Sequence, residues 1–441
     1  MAHFQINHFL RIVKMAKNKK DTLPEQLELE ENSGQPEITG TDETLLDEDY
    51  DEELEDEDDA PVAVKKPLRA AKRVALVVLI VIMIVITLAV GAVFYFFFHY
   101  VGMLDRTSDN TKKTDIPEIE GEMADGPDTV DVTDLDAELM RYLKKRAKRI
   151  SDDDVTNILL IGEDLQEFDK DARGNTDSMI IISINEKNKT ITTTSIMRDM
   201  YIYLEDYGYS HRINAAYAAG GAEYLEKCIE DYLQIEIDRY VRVNFREFIT
   251  VVDSVGGVDI NISDEEAEWI NEMAVWQRTA YAVDKEAVDP ELPKGGIQHL
   301  NGNQALAYSR IRYLGNADWE RTQRQRRVVQ DVIAKSKNMT LMEIDRMLNK
   351  VLPNVNTDLK DAEIADLLLH ALEYREYDVQ ELRIPAYGYF TNEVINSMAV
   401  LVFDPEANAA FIRKVVYEDC KDADEAIAEY EKENGKPKSK D

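Results

Sequence analysis

The chain has 441 residues, with 87 acidic against 52 basic side chains and a formal net charge of −35. That balance argues against a nucleic-acid binder, which would present a basic footprint to phosphates. Two cysteines, Cys228 and Cys420, are too few for a disulfide framework, although one bridge between them stays open. Six scattered histidines lack zinc spacing, and no Gly-x-Ser-x-Gly, P-loop or dinucleotide fingerprint occurs.

Residues 1–20 are basic and mildly amphipathic, but an acidic region follows them instead of a cleavage site, so they are not a signal peptide. Met15 would serve equally well as a start. The chain then turns intensely acidic from Asp47 to Asp59, a block that repels itself and has little apolar surface to bury. Residues 1–73 are therefore expected to be a largely disordered tail, its partner unidentified. Val74 to Phe98 is an uncharged apolar run, long enough at ~1.5 Å per residue to cross a ~30 Å hydrocarbon core. Lys65, Lys66, Arg69, Lys72 and Arg73 precede it, and the far flank is sparser and mixed. The positive-inside bias makes this a single-pass membrane helix with a cytoplasmic N-terminus and an exported remainder.

Residues 99–150 read as a polar linker and a lead-in amphipathic helix, Leu135 to Ile150. Residues 151–417 carry the folded domain. Strands are expected at Asn157–Gly162, Ser178–Ile184 and Thr190–Ile196, the last two joined by a hairpin-like Asn185-Glu-Lys-Asn turn. A helix at Asn214–Leu233, a strand at Arg239–Phe245 and a helix at Phe248–Val255 follow. Gly256-Gly257 and a strand at Val258–Ile262 come next, then helices near Leu341–Leu352 and Asp361–Tyr374, and strands at Val379–Ile384 and Met398–Phe403. Interleaving of this kind indicates an α/β domain with a central mixed sheet flanked by helices. Residues 418–441 are charged and are expected to be a frayed tail.

Two clusters carry chemistry. From Ala305 to Val329 the chain is rich in arginine within an acidic protein, and Asp318 is a candidate N-cap for a helix holding Arg321, Arg324, Gln325 and Val328 on one face. Arg310 and Arg312 arrive from the preceding element. A solvated basic face is the plainer reading of such a run. The adjoining apolar residues and the acidic background favour a phosphate site, for which paired guanidinium donors are suited. The second cluster follows from the first three strands. If they form an antiparallel meander, Asp164, Asp177, Arg198 and Asp199 fall on one sheet edge. Carboxylates there could hold Mg²⁺ or be ordinary turn aspartates with a surface ion pair.

The motifs Asn157-Ile-Leu-Leu-Ile-Gly-Glu-Asp, Thr176-Asp-Ser-Met, Ser195-Ile-Met-Arg-Asp, Ile213-Asn-Ala-Ala-Tyr, Leu306-Ala-Tyr-Ser-Arg-Ile-Arg and Arg321-x-x-Arg-Gln occur in this order. In that combination the chain resembles the LytR–CpsA–Psr family of bacterial cell-wall proteins, over the membrane helix and residues 155 to about 416. The resemblance implies a type II membrane phosphotransferase that moves an anionic glycopolymer, such as teichoic acid or capsule, from an undecaprenyl-pyrophosphate carrier onto peptidoglycan. It implies Asp164 and Asp177 as ligands of Mg²⁺ (or Mn²⁺ in its place). Arg198, Arg212, Arg310, Arg312 and Arg321 would bind the pyrophosphate, with Arg324 and Gln325 at its edge and Asp199 orienting Arg198 or handling the acceptor's proton. The chain departs from the family pattern at Met197, Met200, Arg212 and Glu320, and after Asp164, where Leu165 and Gln166 stand and Arg173 could replace a missing arginine. A non-catalytic polyprenyl-phosphate sensor or regulator, or a polyprenyl pyrophosphatase, would use the same arginines.

Overall fold

The computed structural model describes residues 127–164, 175–280, 288–312, 314, 317–418 and 420–436, with 83, 84, 87, 95 and 98–104. The acidic tail and most of the expected membrane helix lie outside the described residues. Among those described, no helix is long and apolar enough to cross a membrane.

The lead-in helix α1 (Val132–Lys145) is capped by Asp131, whose side chain accepts from the backbone N–H groups of Thr133 and Asp134. It ends before Ile150, which instead bridges to Ile235. Strands β1 (Val155–Asp164), β2 (Asn175–Asn185) and β3 (Thr190–Ile196) follow, and β1–β2 and β2–β3 pair antiparallel, forming the expected meander. A short hairpin, β4 (Tyr201–Leu204) with β5 (Tyr209–Arg212), leads into α2 (Asn214–Leu233) and β6 (Arg239–Asn244). Helix α3 (Phe245–Ser254) then starts directly on an Asn244–Glu247 capping box. After it come β7 (Val258–Ile262), α4 (Asp264–Ala280), β8 (Gly296–Leu300), α5 (Gly302–Ser309), α6 (Ala317–Ser336) and α7 (Leu341–Val351). The chain closes through β9 (Asn356–Thr357), α8 (Asp361–Tyr374), β10 (Asp378–Ile384), β11 (Phe390–Ile395), β12 (Met398–Phe403), α9 (Pro405–Tyr417) and α10 (Ala423–Asn434).

The main sheet has the order β10-β3-β2-β1-β6-β9. It is mixed: β1 runs parallel to β6 and β3 to β10, while β2 and β9 run the other way. Alternation along β1 and β2 sends Leu159, Ile161, Met179 and Ile181 into a core shared with α1, α2, α9 and α10. Leu159, Ile161 and Ile181 are fully buried, each stabilising the domain by about 1.5–3 kcal/mol relative to an exposed side chain. The opposite face carries Leu160 and Ile180 toward α3, α5 and α6. This leaves both faces covered, which is why the strands read as near-continuous apolar runs. A second core, built from Val258, Ile260, Ile270, Leu300, Tyr308 and Val328, joins the two-stranded β7–β8 sheet to α4, α5 and α6.

Two expectations are corrected here. The residues after Glu418 are not a frayed tail along their whole described length: α10 packs on the core through Ala426, which is fully buried, and through Tyr430, which meets Tyr389 and Phe411 edge-on. Apolar residues spaced four apart suffice to seat a helix whose other positions are charged. Cys228 and Cys420 are both buried and free, so the open bridge is not formed.

Candidate active site

A cavity of about 290 Å³ opens where β1 and β6 end and β2 begins. Much of its lining is apolar: Leu160, Ile180, Val243, Phe245, Phe248, Trp269, Met273 and Leu306. Its charged and polar lining includes Asp177, Asn244, Ser309, Arg310, Arg312, Arg321 and Gln325.

Asp177 reaches this place through a β-bulge. Gly162 stands opposite Ser178 and Glu163 opposite Thr176, so Asp177 is the extra residue of β2 and has no ladder partner. Bulges re-aim a side chain at a strand end, and this one turns the carboxylate toward the arginines. Gly162 is required by the close approach, because a Cβ there would stand 2.9 Å from that of Ser178.

Three guanidiniums converge on Asp177. Arg198, just past β3, donates to Oδ1 at 2.8 Å, and Arg312, after α5, to Oδ2 at 2.6 Å. Arg321 of α6, only 2% exposed, lies 3.8 Å from Oδ2. Burial pushes the Asp177 carboxyl up, but Arg321, Arg198 and Arg312 outweigh it and hold the group below its ordinary range. The carboxylate is therefore ionised at neutral pH. Arg310 ends α5 and stacks over Phe245 at 4.6 Å and Trp276 at 5.9 Å, which fixes its plane at the cavity wall. Asp199 sits 3.4 Å from Arg198 and 3.5 Å from Arg212.

The helix face expected on α6 divides in two. Arg321, Gln325 and Val329, at steps of four, line the cavity. Arg324 turns aside, as does Val328, which belongs to the second core. Arg324 bonds Glu266 at 2.7 Å and Glu320 at 2.8 Å, and also donates to the carbonyls of Ile311 and Leu314. The acidic Glu320 is thus held by Arg324. Helix α6 begins at Ala317, so Asp318 lies within the first turn and not at the cap. Arg212 reaches Asp199, not Asp177. Asp164 closes β1 opposite Asn175, on the strand next to Asp177; its side chain and Arg173 lie outside what is described. Asn244 and Phe245, which follow one another in Val243-Asn-Phe, and Ser309 also line the cavity without having been expected there. Ser309, within the quoted Ala-Tyr-Ser-Arg motif, has a buried Oγ without a hydrogen-bond partner among the described residues. The motif could have pointed to it.

The fold and site define an α/β domain with a cavity lined in part by apolar side chains and in part by arginines. The chain belongs to the LytR_cpsA_psr family, whose profile matches residues 128–414. It is 34% identical over 243 residues to a Bacillus cereus protein named polyisoprenyl-teichoic acid–peptidoglycan teichoic acid transferase TagU, covering 55% of this chain and 72% of that relative. It is 32% identical over 224 residues to Biofilm regulatory protein A of Streptococcus mutans, where the match covers 48% of this chain and only 52% of the relative. Among solved structures, B. subtilis TagV superposes with a TM-score of 0.47 at 27% identity, covering 63% of this chain and 99% of that one.

Proposed function

We propose that the chain is a membrane-anchored phosphotransferase that moves an anionic glycopolymer from an undecaprenyl-pyrophosphate carrier onto peptidoglycan, its catalytic domain outside the membrane and its N-terminus in the cytoplasm. One observation carries this reading. The cavity joins apolar side chains to Arg310, Arg312 and Arg321, a lining suited to a molecule with a lipid tail and a pyrophosphate head. The TagU relative's name, with its polyisoprenyl donor and peptidoglycan acceptor, supports the same assignment.

In this mechanism Phe245, Phe248, Trp269 and Met273 hold the isoprenoid. Arg198, Arg312 and Arg321 grip the pyrophosphate oxygens, and Arg310, locked by its two aromatic neighbours, adds a fourth donor plane. A peptidoglycan hydroxyl attacks the phosphorus bonded to the glycopolymer and gives up its proton to solvent or to the departing phosphate. The bond to the bridging oxygen breaks, and its electron pair leaves on undecaprenyl phosphate. Phosphoryl transfer needs little covalent help from protein, so fixed positive charge at the developing oxyanions supplies most of the catalysis. Asp199 keeps Arg198 in place.

Asp177 fits a hard cation only once pyrophosphate has drawn off Arg198 and Arg312, which donate to its two oxygens. Asp177 is an ionised oxygen donor at the cavity wall, and Mg²⁺ is commonly held by one or two carboxylates with phosphate oxygens completing its shell. Asp177 and Asp164 would hold it, and when bound it would offset charge on the pyrophosphate. The test is binding by the full chain in detergent. Polyprenyl pyrophosphate should bind far more tightly than either polyprenyl alcohol or inorganic pyrophosphate alone. Equal affinity for inorganic pyrophosphate and the lipid pyrophosphate would remove the apolar lining from the site.

A further inference from the structure

Away from the transfer site, helix α7 meets the residues that follow the apolar run. Residues 98–101 are helical, and Tyr100, two positions past Phe98, is 6% exposed. Its hydroxyl donates to the Asp345 carboxylate of α7. One residue earlier, His99 donates through Nε2 to Oδ1 of Asn349 at 2.9 Å, and Asn349 in turn donates to the Asp345 carboxylate at 3.2 Å. Asp345 and Asn349 are one turn apart and share an edge of α7. Beside that edge, at steps of four, stand Met342, Arg346 and Lys350, all exposed, Met342 by 74%. The acidic Glu343 on the same outer side is engaged by the Thr340 cap. Ile344, Met347, Leu348 and Val351 form the opposite, half-buried side. Helix α7 packs against α3, whose Phe245 and Phe248 line the cavity.

These contacts fix where α7 stands. At ~1.5 Å per residue, Tyr100 lies about 3 Å beyond the end of the apolar run. Two packed helices have axes about 8–10 Å apart. The polar layer of a bilayer is roughly 5–8 Å thick on each side of its hydrocarbon core. With the run in the membrane, α7 is therefore held within the outer polar layer. Its outer face suits that layer: a methionine that can dip toward the acyl chains, and two long cationic side chains that can reach lipid phosphates. We infer that α7 is an interfacial helix, docked by His99 and Tyr100 and seated through Met342, Arg346 and Lys350 on an anionic lipid surface, an assignment that rests on the membrane-anchored reading above. The apolar side chains of α3 then stand one helix away from the bilayer that supplies the isoprenoid.

The test places a fluorophore on the full chain in vesicles of phosphatidylcholine and phosphatidylglycerol, by Met342→Cys on α7 or by Met83→Cys within the run. Both positions are exposed, and the native Cys228 and Cys420 are buried and stay unlabelled. A nitroxide on the lipid headgroup should quench the probe at 342, and a nitroxide deep in the acyl chain should quench the probe at 83. Tyr100→Phe together with Asn349→Ala should cut the quenching at 342 by about half or more, since the hydrogen bonds of the dock are lost, and leave that at 83 as it was. Arg346→Glu should lower the quenching at 342 only where phosphatidylglycerol is present. Quenching at 83 without quenching at 342 overturns the interfacial helix alone. No quenching at 83 overturns the membrane-anchored reading, and the interfacial helix with it. Quenching at 342 untouched by the double substitution overturns the docking by His99 and Tyr100. An Arg346→Glu loss equal in pure phosphatidylcholine overturns the anionic surface as its partner.

Discussion

Asp177→Asn tests the geometry of the clamp through stability and pH together. In the wild type one carboxylate stands among three guanidiniums, at 2.8 Å, 2.6 Å and 3.8 Å. At an effective dielectric of ~20, a unit pair at ~4 Å is worth about 4 kcal/mol, and breaking a fully buried pair costs about 3–5 kcal/mol. The Asp177 side chain keeps 21% of its exposure, so solvent screens part of this, and a loss of about 2–3 kcal/mol is expected. For a domain of this size that is a fall in Tm on the order of 5 °C. The sign of the pH dependence follows from the depressed pKa of Asp177. Its contribution is fully present above the unfolded carboxylate value of about 3.9 and is lost as pH falls through the lower folded value. Melting curves of both proteins should therefore differ fully at pH 7 and converge below about pH 4. Millimolar pyrophosphate should raise the Tm of Asp177→Asn more than that of the wild type, since it supplies the missing negative charge. Equal Tm at pH 7, or a gap that widens on acidification, would refute the clamp as described.

Arg324→Met removes the partner of buried Glu266 and should destabilise the domain by about 3–5 kcal/mol, measured by urea unfolding, while the folded fraction keeps its affinity for polyprenyl pyrophosphate. Arg310→Lys keeps the charge but loses the planar stack on Phe245 and Trp276, so lipid pyrophosphate binding should weaken roughly three- to tenfold by calorimetry. Met273→Lys places a charge on the apolar wall. It should cut affinity for the polyprenyl ligand at least tenfold and leave inorganic pyrophosphate binding unchanged in the same titration. Truncation after Glu418 uncovers Tyr389 and Phe411 and should lower the Tm by several degrees, by calorimetry, because the packing of α10 is lost.

The meander was legible because Ser178 to Ile184 and Thr190 to Ile196 pair across a short polar turn, and the nearness of Asp177 to Arg198 followed from it; the arrival of Arg312 and Arg321 at the same carboxylate did not. The bulge was not legible: nothing local in Thr176-Asp-Ser shows that Gly162 and Glu163 skip a partner there. Arg324 was misplaced because a three-residue step and a four-residue step fall on either side of a helix's centre line. Only the tertiary packing of Glu266 decides which side meets the cavity. The apolar lining draws on Leu160, Phe245, Trp269 and Leu306, brought together across more than a hundred positions, and no periodicity records such a meeting. Four-residue strands such as β4 and β5 are too short to show an alternation. Helix α10 was hidden by its charge, its few apolar contacts being Ala423, Ala426, Ile427 and Tyr430.

The central claim is transfer, and one reaction measures it. Purified full-length chain in lipid nanodiscs is given a radiolabelled glycopolymer on undecaprenyl pyrophosphate, Mg²⁺ and peptidoglycan. Label should be fixed covalently to peptidoglycan, undecaprenyl phosphate released in equal amount, and both products lost in Arg321→Ala. Release of the polymer at the same rate without peptidoglycan would identify a pyrophosphatase, and tight binding of the lipid with no product in either arm would identify a sensor. Either result would contradict transfer.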